Sequence, residues 1–200
     1  MKLDENINYI VSGLERSGTS MLMQIIDAGG APADFDHDSR PPDDNNPKGY
    51  FELEGGKIIN RLIEGKFPFE KYRGKFIKIT AYGLKFLPKG NYKIIYSQRN
   101  IEEILDSMEK MARIKDDTRE ETKESFTKLN NMIKNLISKR EDSEVLLISY
   151  NDILMNPEEN ITKIYDFIGY NQIDGELFRH LVVARLAFPL SKLKTIEYLY

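Results

Sequence analysis

The sequence predicts a three-layer α/β/α fold in which a central parallel sheet lies between two layers of helices. Short apolar runs rich in β-branched residues alternate with longer segments whose apolar residues recur at helical spacing. This alternation is typical of parallel strands joined by crossover helices. The length of 200 residues, with 40% hydrophobic and 30% charged residues, suits a single soluble domain covering residues 1–200.

Four strands and six helices make up the predicted fold. We expect strands at residues 7–12, 75–80, 92–97 and 143–150. We expect helices at residues 17–28, 52–65, 101–114, 117–139, 156–169 and 174–186. The glycine pair Gly55-Gly56 is a weak point of the second helix, and Pro157 and Gly169 bound the fifth. Residues 31–50 are rich in Pro, Asp and Asn without periodicity, which predicts a loop.

Composition and charge exclude several classes of protein. The absence of cysteine excludes disulfides and thiolate metal sites. The net charge is −3, and a basic stretch between Lys57 and Arg99 is either a solvated surface or a means of drawing an anion to a cleft. The acidic N-terminal residues lead into a strand and indicate neither a signal peptide nor a membrane span. We therefore expect a cytoplasmic protein without a nucleic-acid or membrane partner.

The first predicted strand leads into a glycine-bracketed loop, "GLERSGTS", at residues 13–20. Both glycines and Ser20 match the G-x-x-x-x-G-K-[ST] loop that binds nucleoside triphosphates, but Thr19 occupies the lysine position. A strand, loop and helix in this order direct backbone N–H groups and the positive end of the helix at an anion. Arg16 keeps a cation in the loop, and none of the predicted strands runs into an aspartate that would complete a Mg²⁺ site. The loop therefore predicts an anion site that does not hydrolyse ATP.

The stretch "GLERSGTSML" resembles the 5′-phosphosulfate loop of sulfotransferases that use 3′-phosphoadenosine 5′-phosphosulfate (PAPS). Those enzymes carry a Lys/Arg-Ser-Gly-Thr core on the same strand, loop and helix and use no metal. The resemblance implies the P-loop NTPase-like sulfotransferase fold and contacts to PAPS from Arg16, Ser17, Gly18, Thr19 and Ser20. Glu15 departs from the family pattern, in which proline is common. An acid beside an anion site is unfavourable unless it points away.

Two later segments resemble the same family. "IIYSQRNIEEILDS" supplies Arg99 and, eight residues on, Ser107, the spacing of the arginine and serine that contact the 3′-phosphate in sulfotransferases. "LLISYNDILMNPEENITKIYDFIG" follows a family outline of strand, Tyr-Glu-Asp-Leu and proline-started helix, with Asn151 in place of the glutamate. This outline implies that Tyr150 lies near the adenine, although a tyrosine at a strand end also suits a core. "NPKGYFE" further resembles a bacterial sulfotransferase-like group. The C-terminal Arg-Lys-Gly segment of the family has no match, and the possible substitutes are Arg185, Lys192 and Lys194.

Sulfuryl transfer requires a base for the acceptor and positive charge on the departing phosphate. Arg16 suits the leaving phosphate, and Lys78, with Lys75 as the alternative, lies where related enzymes place a lysine near the sulfonate. Three residues compete as the base. Glu52 is the first choice because some sulfotransferases place a glutamate in this region. The second candidate is Glu54, two residues further on. The third is His37, because histidine titrates near neutral pH and acts as the base in cytosolic sulfotransferases.

The sequence therefore indicates a metal-independent, PAPS-dependent sulfotransferase that acts on a hydroxyl or amine acceptor and leaves adenosine 3′,5′-bisphosphate. Two alternatives are a small P-loop kinase that uses ATP–Mg²⁺ and a non-catalytic nucleotide-binding protein. The acceptor would be a small molecule or a glycan, in a pocket shaped by residues 31–74, where several aromatic residues could form walls or core. The sequence does not indicate the oligomeric state.

Overall fold

The structure is a computed structural model that describes residues 2–36, 38, 42–44 and 46–169. Its strands are β1 (Asn8–Gly13), β2 (Phe76–Lys78), β3 (Tyr92–Gln98) and β4 (Ser143–Ser149). Its α-helices are α1 (Thr19–Ala28), α2 (Ile58–Ile63), α3 (Ile101–Ala112), α4 (Arg119–Ser138), α5 (Tyr150–Met155) and α6 (Pro157–Phe167). Short 3₁₀ helices lie at Glu54–Gly56, Phe69–Tyr72 and Ala81–Phe86. The helix predicted at 174–186 and the C-terminal cations lie outside the described residues.

The four strands form one parallel sheet in the order β2-β1-β3-β4. In β1, Ile10 lies opposite Ile77 of β2 and Ile94 of β3. The chain passes from β1 to β2 on one side and then crosses to β3 on the other side of β1. The connections after β1 and β3 therefore diverge and leave a crevice at the carboxyl ends of the strands, where ligands bind in open α/β sheets.

Alternating residues of the strands face two separate cores. Tyr9 and Val11 of β1 pack with apolar residues of α1, α5 and α6 on one face of the sheet. Ile10 packs with apolar residues of α2, α3 and α4 on the other face. Burial on both faces explains why the central strands β1 and β3 are largely apolar. The predicted three-layer α/β fold is confirmed.

Several boundaries differ from those predicted. Strand β2 has three residues instead of six, and the helix predicted at 52–65 breaks where Gly55 and Gly56 adopt φ values of 60° and 84°. Helix α5 was not predicted; Ser149 begins it by accepting a hydrogen bond from the Asp152 N–H at 3.1 Å. Helix α5 ends before Pro157, because proline disfavours helical geometry in the preceding residue. Within the described part of the chain, no helix is both long and apolar enough to cross a membrane.

Candidate active site

Two serine hydroxyls fix the loop between β1 and α1 on its buried side. The buried Ser17 donates from Oγ to the Leu14 carbonyl at 2.7 Å, and its own carbonyl accepts a hydrogen bond from Ser97 Oγ of β3 at 2.6 Å. Between these anchors Arg16 takes a left-handed conformation with φ of 62°. A non-glycine residue held in this region marks a backbone that its surroundings over-determine. Ser17 therefore shapes the loop through its hydroxyl.

Two glycines allow the loop to pack closely. A Cβ at Gly13 would lie 2.4 Å from Ser17 Oγ and 2.9 Å from the Ser97 carbonyl oxygen. Gly18 precedes α1 with φ of 100°, and a Cβ there would lie 2.3 Å from Cδ2 of Tyr150. The first N–H groups of α1 lack partners within the helix and are available to an anion.

Gly18→Ala is expected to destabilise the protein by at least about 2 kcal/mol, because left-handed strain of about 1–2 kcal/mol adds to the clash with Tyr150. Gly30→Ala is the matched control, since Gly30 also has positive φ but no neighbouring atom lies within 4 Å of its Cβ position. The control should lose about 1 kcal/mol, from strain alone. Urea denaturation measures both, and equal losses would show that the packing of Tyr150 on the loop is soft.

The two arginines singled out in the sequence meet at this loop. Arg16 donates from Nε to Ser107 Oγ of α3 at 3.0 Å, and Arg99 donates from Nη1 to the Arg16 carbonyl at 3.1 Å. Two segments that are distant in sequence are thus joined by direct hydrogen bonds. The result is one cationic region at the carboxyl ends of β1 and β3.

Arg99 has two further contacts, and one of them is shared with Asn151. Its guanidinium carbon lies 4.2 Å from the ring centroid of Tyr150, and its Nε donates to Glu103 Oε2 at 3.0 Å. Asn151 donates from Nδ2 to the other oxygen of Glu103 at 2.9 Å. The hydrogen bonds from Asn151 and then Arg99 hold the pKa of Glu103 below its usual value. The carboxylate of Glu103 is therefore charged while it is bound to Arg99.

A buried ion pair lies on the other side of the loop. Lys78 is the last residue of β2, and its Nζ lies 3.1 Å from Glu52 Oε1, with side chains 4% and 13% exposed. Lys78 also donates to Ser20 Oγ at 3.3 Å and to the Tyr50 carbonyl. Ser20, in the first turn of α1, donates to the same carbonyl at 3.2 Å. An ammonium group and a carboxylate are thus held together beside the start of α1.

The backbone on both sides of Glu52 is strained. Phe51 and Glu54 have φ values of 56° and 51°, in the left-handed region that non-glycine residues rarely occupy. Asp36 holds this segment, because its N–H donates to the Glu52 carbonyl at 2.9 Å and its carboxylate accepts from the Glu54 N–H. Strain that the surroundings impose in this way clusters at functional sites.

A family model described as a sulfotransferase domain matches residues 6–188. The chain belongs to the sulfotransferase domain family. This assignment confirms the family inferred from the three motifs. No curated protein matches the sequence significantly.

Solved sulfotransferases share the fold of this family member. Mouse sulfotransferase SULT7A1, complexed with PAP, has 17% identity and a TM-score of 0.56, over 94% of this chain and 66% of that one. The sulfotransferase domain of the Synechococcus PCC 7002 olefin synthase has 16% identity and a TM-score of 0.53, over 99% and 96%. Sulfotransferase STF1 from Mycobacterium tuberculosis H37Rv has 13% identity and a TM-score of 0.59, over 96% and 76%. The chain thus spans just under two thirds of the mouse protein and more of the other two.

Most of the residues predicted for the site border one open cleft of about 270 Å³. The predicted residues that line it are Arg16, Gly18, Thr19, Ser20, Glu52, Lys78, Arg99 and Tyr150. Ser17 lies buried beneath the loop, and Ser107 reaches the cleft through its bond to Arg16. Glu15 also borders the cleft, but it is exposed, and water reduces its repulsion of an anion.

The structure also places the alternative candidates. Lys75 precedes β2, at the opposite edge of the sheet from Lys78, and pairs with Asp34 at 2.9 Å. Glu54 forms an ion pair with Arg61. His37 lies outside the described residues. Of the two glutamates and two lysines considered, Glu52 and Lys78 are therefore the ones that border the cleft.

The aromatic residues between residues 31 and 74 were expected to form either acceptor walls or core, and three of them, Phe67, Phe69 and Tyr72, pack on one another in the core. Two residues at the site were not predicted. Glu103 and Asn151 were not recognised as site residues. The spacing of Arg99 and Glu103, four residues apart at the start of a helix, was the one sequence signal that could have found this pair.

Proposed function

We propose that the protein transfers a sulfuryl group from PAPS to a hydroxyl or amine acceptor without a metal, leaving adenosine 3′,5′-bisphosphate. The observation that carries this proposal is the direct contact between two anion anchors, Arg16 and Arg99, next to the pair of Lys78 and Glu52. PAPS carries anionic groups at both its 5′ and its 3′ ends, so it requires more than one cationic group around one nucleoside, and the two arginines supply them in one region. Mouse SULT7A1, which shares this fold, is complexed with PAP, and that complex adds support for the proposal.

The loop residues suit the 5′ end of the donor. The N–H groups of Gly18, Thr19 and Ser20, at the start of α1, would bind the phosphosulfate together with the Arg16 guanidinium. Arg99 and Ser107 would bind the 3′-phosphate, with Tyr150 placed near the adenine. Arginine suits this task because its planar fork of donors matches the oxygens of a phosphate.

The buried ion pair suits the chemical step. When the acceptor oxygen or nitrogen attacks sulfur, Glu52 takes the proton that the acceptor loses. The bond between sulfur and the bridging oxygen of the phosphate breaks, and its electrons remain on that oxygen. Lys78 then stabilises the negative charge that develops there. Glu52 returns its proton to solvent, so the cycle consumes only PAPS and acceptor.

The choice of donor can be tested by calorimetric titration of the protein with adenosine 3′,5′-bisphosphate and, separately, with ATP–Mg²⁺. We expect the bisphosphate to bind at least about tenfold more tightly, which corresponds to about 1.4 kcal/mol. Binding of ATP–Mg²⁺ without the bisphosphate would overturn the proposal in favour of a kinase. Transfer from labelled PAPS to a panel of phenols, sugars and amines then identifies the acceptor class.

The partners follow from the same proposal. We infer a small-molecule or glycan acceptor, since the cleft is open and bordered by polar groups such as Asn46, Gln24 and Thr80. The cytoplasmic location and the lack of a nucleic-acid partner stay predictions from the sequence.

A further inference from the structure

The guanidinium group of Arg99 is held by two hydrogen bonds and one aromatic ring. Nε donates to Glu103 Oε2 at 3.0 Å, Nη1 donates to the Arg16 carbonyl at 3.1 Å, and the guanidinium carbon lies 4.2 Å from the centroid of the Tyr150 ring. A guanidinium has five N–H donors in a fixed plane, so these contacts determine which edge faces the cleft. A ligand at the cleft therefore meets Nη2 and the second N–H of Nη1.

Glu103 brings a negative charge close to a site proposed for a phosphate. The repulsion between this carboxylate and a phosphate is limited because both carboxylate oxygens accept hydrogen bonds, one from Arg99 and the other from Asn151 at 2.9 Å. Asn151 lies in the first turn of α5, 48 residues from Glu103 in sequence, so this bond also joins α3 to α5. A carboxylate that is hydrogen-bonded at both oxygens has a fixed orientation and can fix that of its partner.

We propose that Glu103, oriented by Asn151, is a positioning residue that aligns Arg99 and so sets the preference of the protein for ligands with a 3′-phosphate. This inference rests on the proposed function, in which Arg99 binds that phosphate. Glu103 itself contacts Arg99 and does not need to contact the ligand. Its removal should therefore affect the recognition of the 3′ end of the nucleotide and spare that of the 5′ end.

The test compares adenosine 3′,5′-bisphosphate with adenosine 5′-monophosphate, which differ only in the 3′-phosphate. The dissociation constant of the monophosphate divided by that of the bisphosphate, both measured by calorimetry, reports the preference for the 3′-phosphate. We expect Glu103→Gln and Asn151→Asp each to reduce this ratio about fivefold to tenfold, the effect of losing about one ordinary hydrogen bond to the ligand. The affinity for the monophosphate should change little.

The double variant Glu103→Gln/Asn151→Asp distinguishes positioning from general damage. Glu103→Gln removes the negative charge that pairs with Arg99, and in Asn151→Asp two carboxylates face each other. In the double variant the Gln amide can donate to Asp while its carbonyl accepts from Arg99, and the net charge equals that of the wild type. We expect the ratio to recover to within about threefold of the wild-type value, which shows coupling of the two sites.

Glu102→Gln is the matched control. Glu102 is the neighbouring acid of α3, but it pairs with Arg119 and Lys123 instead of Arg99. Its neutralisation should leave the ratio unchanged. If Glu102→Gln and Glu103→Gln lowered the ratio equally, the effect would come from the net negative charge of α3 and not from the contact of Glu103 with Arg99. If both single variants keep the wild-type ratio, or if the double variant does not recover it, the role of Glu103 is overturned. The proposed function would not be affected by either result. A wild-type ratio near one would overturn the proposed role of Arg99 and the inference with it.

Discussion

Replacement of Glu52 by glutamine is expected to lower kcat by about 10²- to 10⁴-fold, the usual contribution of a general base. The amide has almost the same shape and can still accept a hydrogen bond from Lys78, which lies 3.1 Å away. It cannot accept the proton of the acceptor. Affinity for adenosine 3′,5′-bisphosphate should stay within about threefold of the wild type, since the nucleotide anchors are elsewhere. Transfer from labelled PAPS and calorimetric titration measure the two quantities separately.

Glu54→Gln is the control for this experiment, because Glu54 is two residues away and forms its ion pair with Arg61. We expect it to keep nearly full activity. Full activity of Glu52→Gln would reject Glu52 as the base. Loss of activity in His37→Ala together with normal activity of Glu52→Gln would instead assign that role to the histidine.

Replacement of Lys78 by methionine is expected to reduce both stability and rate. The substitution keeps most of the side-chain volume but leaves the carboxylate of Glu52, which is 13% exposed, without its ammonium partner. Removal of one member of a buried ion pair costs about 3–5 kcal/mol of the free energy of unfolding. We expect kcat to fall about 10²- to 10³-fold as well, the effect of losing one group that stabilises transition-state charge. Urea denaturation and the transfer assay measure the two losses.

The double variant Lys78→Met/Glu52→Gln separates these effects. It removes both charges, so it should regain most of the lost stability. It should regain none of the lost activity, because neither the base nor the cation is present. Recovery of activity would show that Lys78 serves only the fold. Lys75→Met is the control, since its half-exposed pair with Asp34 should contribute less than about 1 kcal/mol and nothing to the rate.

The sequence by itself determined the anion loop and its place in the fold. The spacing of Gly13, Gly18 and Ser20 between an apolar strand and a helix is a local pattern, and local patterns can be recognised without long-range information. Arg99 could be assigned to the same site because it follows another parallel strand. Parallel strands bring their carboxyl ends to one edge, so residues that follow different strands converge there.

Only the tertiary structure decided which charged residues complete the site. Lys78 and not Lys75 borders the cleft because β2 is three residues long and ends at Lys78, and strand ends are poorly fixed by the apolar pattern. Glu52 and not Glu54 borders it because the backbone around Glu52 turns through left-handed conformations. The surrounding structure can hold a non-glycine residue in a left-handed conformation, so the residue type at that position does not predict the conformation.

The contact of Glu103 with Asn151 depended still more on the tertiary structure. It joins α3 to α5, a helix that the sequence did not predict because "SYNDILM" also suits the end of a strand. Side chains 48 residues apart meet only after β3 and β4 have paired in their observed register. The sequence thus determined the loop that we propose binds the anion, since that loop depends on local backbone geometry. The packing of distant elements decided how the surrounding side chains are oriented.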